Sequence, residues 1–191
     1  MKKSNKIKKL ILFSLIITAF GFLFNSFYIQ GKAFLAQVLI QNAWEKTIET
    51  KVLYKPWPWA DTKTVLKMYV PKFQESIYIL ENDSGESLAF GPGHSKGSFM
   101  PGQNGTIMLS AHRDTHFEFL KDMNINDEII LYDIANQEYR YKITHTKIID
   151  TKTDKLGIYM GNEELVLVTC WPFDTLIAGG SERYVVYTQK L

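Results

Sequence analysis

From Leu10 to Ile29 the chain reads LILFSLIITAFGFLFNSFYI, without one charged side chain. As a helix such a run rises about 30 Å, the thickness of a bilayer's hydrocarbon core. Lys2, Lys3, Lys6, Lys8 and Lys9 stand ahead of it. Basic flanks stay on the cytoplasmic side, so the pattern predicts a cytoplasmic N-terminus and places everything after Gln30 on the periplasmic or extracellular side. A cleaved signal peptide is the competing reading, but its apolar stretch usually runs about 7–15 residues and ends in a small-x-small site. Here the run is longer, and the nearest such site, Ala33-Phe34-Leu35-Ala36, lies beyond it within a helix-like pattern. The expectation is an uncleaved, single-pass anchor in the cytoplasmic membrane.

Those lysines also account for the charge. Of 22 basic side chains five precede the apolar run, which leaves 17 against 20 acidic ones in the rest of the chain. The basic balance therefore belongs to a tail. Beyond the tail there is neither Lys/Arg clustering nor a nucleic-acid-binding motif, and no nucleic-acid partner is expected. At 46% hydrophobic and 22% charged residues, the composition excludes collagen-like, low-complexity and wholly disordered chains.

Periodicity divides what remains. Between Lys32 and Thr50, Phe34, Leu35, Val38, Leu39, Ala43, Trp44 and Ile48 recur at three- and four-residue spacings, an amphipathic helix continuing from the anchor. Pro56 and Pro58 punctuate its end. Beyond Trp59 come short runs rich in β-branched and aromatic residues: Val65–Val70, Ser76–Leu80, Thr106–Ser110, Glu128–Tyr132, Glu138–Thr144, Leu165–Thr169 and Tyr184–Thr188. Turn-forming clusters separate them at Asn82–Gly85, Gly91–Gly93, Pro101–Gly105 and Gly161–Asn162. Many short strands with turn signals imply a sandwich or closed barrel.

The chemistry centres on one residue. Cys170 is the only cysteine, so in an oxidising compartment it has no internal disulfide partner and is inert, paired to another molecule or chemically employed. A buried small hydrophobe is the ordinary fate of such a thiol. Cys170 nevertheless follows the continuous apolar run Leu165–Val168 after one threonine, and Pro172, which cannot donate to a ladder, should stop the strand beside it and expose it at a sheet end. His112 holds a similar place two residues after Thr106–Ser110, and Arg183 opens the last strand. His94, His116 and His145 are the other histidines, with His116 expected in a solvated loop. Arg183 has a surface ion pair with Asp174 or Glu182 as its duller alternative.

At these residues the chain resembles a known family. Leu167-Val168-Thr169-Cys170 resembles the sortase TLxTC signature, with Val166 where the family often has threonine, and Ser110-Ala111-His112-Arg113-Asp114 resembles the segment bearing the sortase histidine. Arg183-Tyr184-Val185-Val186 is similar to the strand bearing the family's arginine, and the order His, Cys, Arg is the family's own. The segments Pro56-Trp57-Pro58-Trp59-Ala60-Asp61, Gly91-Pro92-Gly93-His94 and Cys170-Trp171-Pro172-Phe173-Asp174 look like the sortases of Gram-negative marine proteobacteria.

The resemblance implies a mainly β fold, a closed barrel of about eight strands with short helices. It implies three segments: 1–31, basic tail and anchor; 32–56, linker helix; 57–191, catalytic barrel. It implies a cysteine transpeptidase that cuts an exported protein at a C-terminal LPXTG-like sorting signal and passes the acyl part to an amine acceptor whose identity it leaves open. Cys170 would be the nucleophile and His112 the acid and base. Arg183 would steady either the carbonyl oxygen's developing charge or the substrate backbone. A membrane-tethered cysteine peptidase and a noncatalytic peptide-binding β-domain are the alternatives. No cofactor is implied. No metal is expected, since Asp83, Glu86, Asp127 and Glu128 lack the EF-hand pattern of alternating oxygen ligands. Trp57 and Trp59 are expected to pack the linker onto the barrel rather than wall a substrate site. Asn82–Glu86 and Asp114–Asp122 read as mobile loops near the site.

Overall fold

The computed structural model describes residues 2–175 and 179–191. Two compact units emerge, Met1–Val38 and Leu39–Leu191. Helix α1 (Lys2–Thr50) begins in the first. From Leu10 to Ile29 its side chains are exposed all round, and its most apolar window has a mean hydropathy of 2.1. A helix that is apolar on every side and covered on none suggests a membrane anchor.

In the second unit the last turns of α1 bury Ile40, Ala43, Trp44 and Thr47, and the Trp44 ring lies 6.5 Å from that of Tyr78. This stripe is rotated from the one expected: Phe34, Leu35 and Val38 are exposed and Leu39 and Ile48 half-buried. The aromatic and β-branched residues of the linker are so frequent that more than one face satisfies helical spacing, and Thr47 was not readable as a buried position. Its hydroxyl donates to the Ala43 carbonyl at 2.8 Å and accepts from the Tyr54 backbone N–H at 3.1 Å. Lys51, at φ 60°, takes the left-handed conformation that closes a helix and turns the chain toward the barrel.

The barrel has eight strands: β1 (Thr64–Val70), β2 (Glu75–Leu80), β3 (Gly93–His94), β4 (Thr106–Ser110), β5 (Glu128–Tyr132), β6 (Glu138–Asp150), β7 (Glu164–Cys170) and β8 (Glu182–Lys190). They close in the order β1-β2-β3-β4-β7-β8-β6-β5. The β2–β3 and β4–β7 pairs are parallel and the others antiparallel. All seven expected runs are strands. The eighth, β3, has two residues, too few to show an alternating pattern. β6 outruns its expected end at Thr144 because its second half, past an irregularity at Ile143/His145, pairs with β8 alone and leaves His145 to Ile148 exposed.

Alternate residues line the interior: Ile107 and Leu109 of β4, Leu165 and Leu167 of β7, and Val186 of β8 join the main core. The opposite face of the same strands carries a second apolar cluster of Met108, Val166, Val168 and Val185, joined by Ile149 of β6. β7 is thus covered on both faces, as its continuous apolar run requires. The two segments expected as loops contain short helices, α2 (Gly85–Leu88) and a 3-10 helix (Glu118–Asp122), the first capped by the Ser84 hydroxyl.

One end of the barrel is closed by a buried carboxylate. Glu163 accepts from the Tyr141 hydroxyl at 2.7 Å and from Lys190 Nζ at 2.8 Å. Burial pushes this carboxyl up, but Lys190, Tyr141 and the Gly102 backbone N–H together hold it below the ordinary value. Burial, with the neighbouring carboxylate, pushes the Tyr141 phenol up. A carboxylate held down when folded adds stability above its unfolded pKa, and that stability is lost as pH falls through the folded one. Lys190 is partly exposed, which moderates the pair's worth. Glu163→Gln should therefore cost about 1–2 kcal/mol at pH 7. Urea titrations of the full-length chain in detergent should show the wild-type advantage shrinking below the usual carboxylate range; an advantage constant with pH would contradict the charge-based account.

Candidate active site

At the opposite end, β4 and β7 run parallel and finish side by side. The Ala111 backbone N–H donates to the Val168 carbonyl at 3.2 Å, and the buried Thr169 hydroxyl donates to the Ala111 carbonyl at 2.8 Å. This second bond locks the residue before Cys170 to the residue before His112. β7 ends on Cys170, beside Pro172 as expected. Across the antiparallel pair Cys170 faces Arg183. One sheet end thus brings together Cys170 at the finish of β7, His112 two residues past the finish of β4, and Arg183 at the start of β8.

Cys170 continues the outward series Val166, Val168, and is half-buried rather than enclosed. The Trp171 backbone N–H donates to the Glu182 carbonyl at 3.1 Å, and the Trp171 ring stacks on Tyr184 at 5.8 Å and meets Phe173 edge-on at 5.8 Å. The thiol therefore stands at a strand end whose next residue is clamped. Trp171, Pro172, Phe173 and Tyr184, with Lys121 and Asp174, line a cavity of about 390 Å³ beside it.

Arg183 is half-buried, and its Nη1 donates to the carbonyls of Gly180 at 2.7 Å and Glu182 at 2.9 Å. No carboxylate lies within ion-pairing distance of it among the described residues. Neither surface pair considered from the sequence forms; Glu182 contributes its backbone oxygen, not its acid. Two carbonyls fix one arm of the fork, and Nε and Nη2 have no protein partner among the described residues.

His112 is exposed, in a turn that returns the Phe117 N–H to the His112 carbonyl at 3.0 Å and is anchored by the buried Phe117 and Leu120. Arg113 Nη2 donates to the Thr175 carbonyl at 3.2 Å, tying this turn to the β7–β8 connection. His116 is half-buried, not solvated. Burial, and then the neighbouring His112, lower its pKa. Among the remaining histidines, His94 is buried with Nε2 at 2.9 Å from the Phe99 carbonyl and 3.0 Å from the Ser98 hydroxyl, and His145 stacks on Tyr187 at 4.5 Å. Trp57 packs edge-on against Phe90 at 5.0 Å, whereas Trp59 is 83% exposed and does not share the packing role expected of both. Among the described residues no three His, Cys, Asp or Glu side chains converge as metal ligands would.

Residues 68–191, which include this whole strand-end arrangement, match the family model described as Sortase domain. The chain belongs to the sortase domain family. Over 123 residues it is 34% identical to Sortase D of Bacillus subtilis (strain 168), a match covering 64% of this chain and 61% of that one. The sortase chain here thus spans less than two thirds of that relative's length. Its fold is similar to a Clostridium perfringens Sortase D5 transpeptidase (TM-score 0.64, 18% identity, covering 82% of this chain and 98% of that one). It is also similar to Sortase A from Corynebacterium diphtheriae (TM-score 0.60, 21% identity, 70% and 63%). The closed eight-stranded barrel is the sortase fold.

The His112–His116 neighbourhood yields a titration test. In an NMR pH titration of the histidine rings, His116 should titrate below the ordinary histidine range near 6.5. In His112→Ala it should move up only part of the way, because burial is the larger cause. Full return to the ordinary value would mean that charge repulsion, not burial, holds it down.

Proposed function

We propose that this sortase is a membrane-anchored cysteine transpeptidase acting on exported proteins that carry an LPXTG-like C-terminal sorting signal. The observation that carries the proposal is the alignment of Cys170 and Arg183 across one strand pair, with His112 in the turn that follows the strand locked to β7. In the first half-reaction the Cys170 thiolate attacks the carbonyl carbon of the scissile bond, a C–S bond forms and the C–N bond breaks. The imidazolium of His112 gives its proton to the departing amine. In the second, an incoming amine attacks the thioester, His112 takes the proton, and the thiolate leaves. A thioester suits transfer because an amine attacks it readily. Arg183 serves the carbonyl end: two backbone oxygens hold one arm, and its other N–H groups are available to a developing oxyanion or a substrate carbonyl.

The proposal extends to place and kind. The long apolar helix behind five lysines supports a single-pass anchor with the N-terminus in the cytoplasm and the barrel on the far side. Residues 1–31 serve as tail and anchor, 32–56 as linker helix and 57–191 as the catalytic part. Within the family, the Pro56–Asp61, Gly91–His94 and Cys170–Asp174 segments support the marine proteobacterial type. The acceptor is an amine.

Intact-mass spectrometry of the full-length chain in detergent, incubated with an LPXTG-like peptide panel and triglycine, tests the reading. An acyl adduct on Cys170 and an amine-ligated product are expected, and Cys170→Ala should fold yet form neither. Hydrolysed product that no amine diverts would replace the transpeptidase with a peptidase. A Cys170 that neither acylates nor reacts with a general thiol reagent would favour a binding domain.

Arg183→Lys should lower kcat/KM by about 100-fold, because a single ammonium nitrogen lacks the planar fork that holds two backbone carbonyls on one arm while presenting two other nitrogens to substrate. Activity within about twofold of wild type, on the scale where a factor of ten is 1.36 kcal/mol, would assign the arginine to the surface.

A further inference from the structure

The outward face that carries Cys170 is apolar along β4, β7 and β8, except at one edge. Met108 and Ser110 of β4 alternate with the core residues Ile107 and Leu109, so Ser110 shares the outer face with Val168 and Cys170. Its hydroxyl lies 3.3 Å from that of Ser95, and Ser95 donates to the Asp83 carboxylate at 2.5 Å. A hydroxyl–carboxylate bond of that length is charge-assisted and fixes the orientation of the acid. Asp83 is half-buried, and no cation pairs with it among the described residues. Across the sheet the polar groups therefore run Asp83, Ser95, Ser110, then Cys170 and Arg183, with an unneutralised acid at one side and a guanidinium at the other.

The backbone is shaped to bring Asp83 there. Asp83 belongs to the β2–α2 connection, and reaches the outer face only because that connection passes directly over β3. A Cβ at Gly93 would collide with the Asn82 carbonyl oxygen and come within 2.6 Å of the Asp83 Cα, an approach that only glycine permits. Asn82 in turn accepts from the Ser87 hydroxyl at 2.6 Å and from the Ser84 N–H at 3.1 Å, which holds the crossing in place. The neighbouring His94, bound to Phe99 and Ser98, secures the start of the loop that carries Ser95. The Gly91-Pro92-Gly93-His94 segment thus has a structural role, the delivery of one carboxylate to the reactive face.

We propose that Asp83, aligned by Ser95 and Ser110, is a specificity-determining residue that binds a cationic side chain of the sorting signal. This rests on the transpeptidase reading above. Ser110 is separated from Cys170 by roughly 8 Å of sheet, and the carboxylate lies beyond it, on the order of three extended residues from the thiol. The contacted side chain therefore belongs to a lysine or arginine about three or four residues beyond the scissile bond on its leaving side, since on the acyl side those positions are the proline and leucine of the LPXTG-like signal. Such a residue gains a charge-assisted hydrogen bond where a neutral residue at the same position does not.

The test uses the full-length chain in detergent with LPXTG-like peptides extended on both sides, in which lysine, arginine or leucine is placed at each position in turn. Wild type should favour lysine or arginine over leucine by about 10-fold in kcat/KM at one position three or four residues from the cleaved bond. Asp83→Asn, which keeps size and hydrogen bonding but not charge, should remove that preference, and Ser95→Ala should reduce it. Thermal unfolding and thiol labelling of Cys170 establish that each variant is folded with its nucleophile in place. A wild-type profile indifferent to charge, or a preference that survives in Asp83→Asn, overturns this inference alone. Absence of turnover on every peptide overturns the transpeptidase reading together with it.

Discussion

The parallel pairing of β4 with β7 is the constraint on which the site depends. Parallel strands end at the same edge of a sheet, so residues distant in sequence, Cys170 at the end of β7 and His112 two residues past the end of β4, leave the sheet at one edge. The pairing from Thr106–Glu164 to Ser110–Val168 sets the register, and the buried Thr169 hydroxyl on the Ala111 carbonyl extends it one step past the last strand pair. A slip by one residue would turn Cys170 to the interior and Thr169 outward, because side chains alternate faces. Two apolar faces on β7, one in the main core and one in the outer cluster, make such a slip costly on both sides.

The two ends of β7 handle charge in opposite ways. At its start, Glu163 is buried and bonded to Tyr141 and Lys190, so its charge is met within the protein. At its finish, Arg183 is held by backbone carbonyls, and across the sheet Asp83 is held by a serine hydroxyl, so neither has an opposing ion among the described residues. Ion pairs would have stabilised both groups where they stand, but would also have neutralised their electrostatic potential within the protein. Groups oriented by neutral partners remain able to interact with a substrate.

The sequence made the strands legible, and with them the strand-end places of the three candidate residues, because each rests on a local rule. Leu165–Val168 is an unbroken apolar run, Pro172 ends it, and Cys170 falls between them. Thr106–Ser110 and the last strand follow from β-branched and aromatic content in the same way. What escaped depends on distant contacts. β3 is two residues long and exists because β2 and β4 flank it. The buried face of α1 was set by Tyr78 and by the Thr47 cap, which no periodicity in the helix encodes. Arg183 read as a possible partner for Asp174 or Glu182, since proximity in sequence cannot reveal that the nearest acceptors are main-chain oxygens.

Asp83 is the clearest case of that limit, and also shows what trace remains in a sequence when contacts are hidden. An aspartate in a turn among Asn82, Ser84 and Gly85 has every local reason to be a solvated turn residue. The signal lay ten residues away in Gly93, a glycine in a segment with no helix end to cap and no positive φ to explain it. A glycine that is not needed for its own backbone angle is needed for the space its missing side chain leaves. Here that space is filled by the main chain at Asn82 and Asp83, so the absence of a Cβ on one strand determines where an acid on another segment can stand.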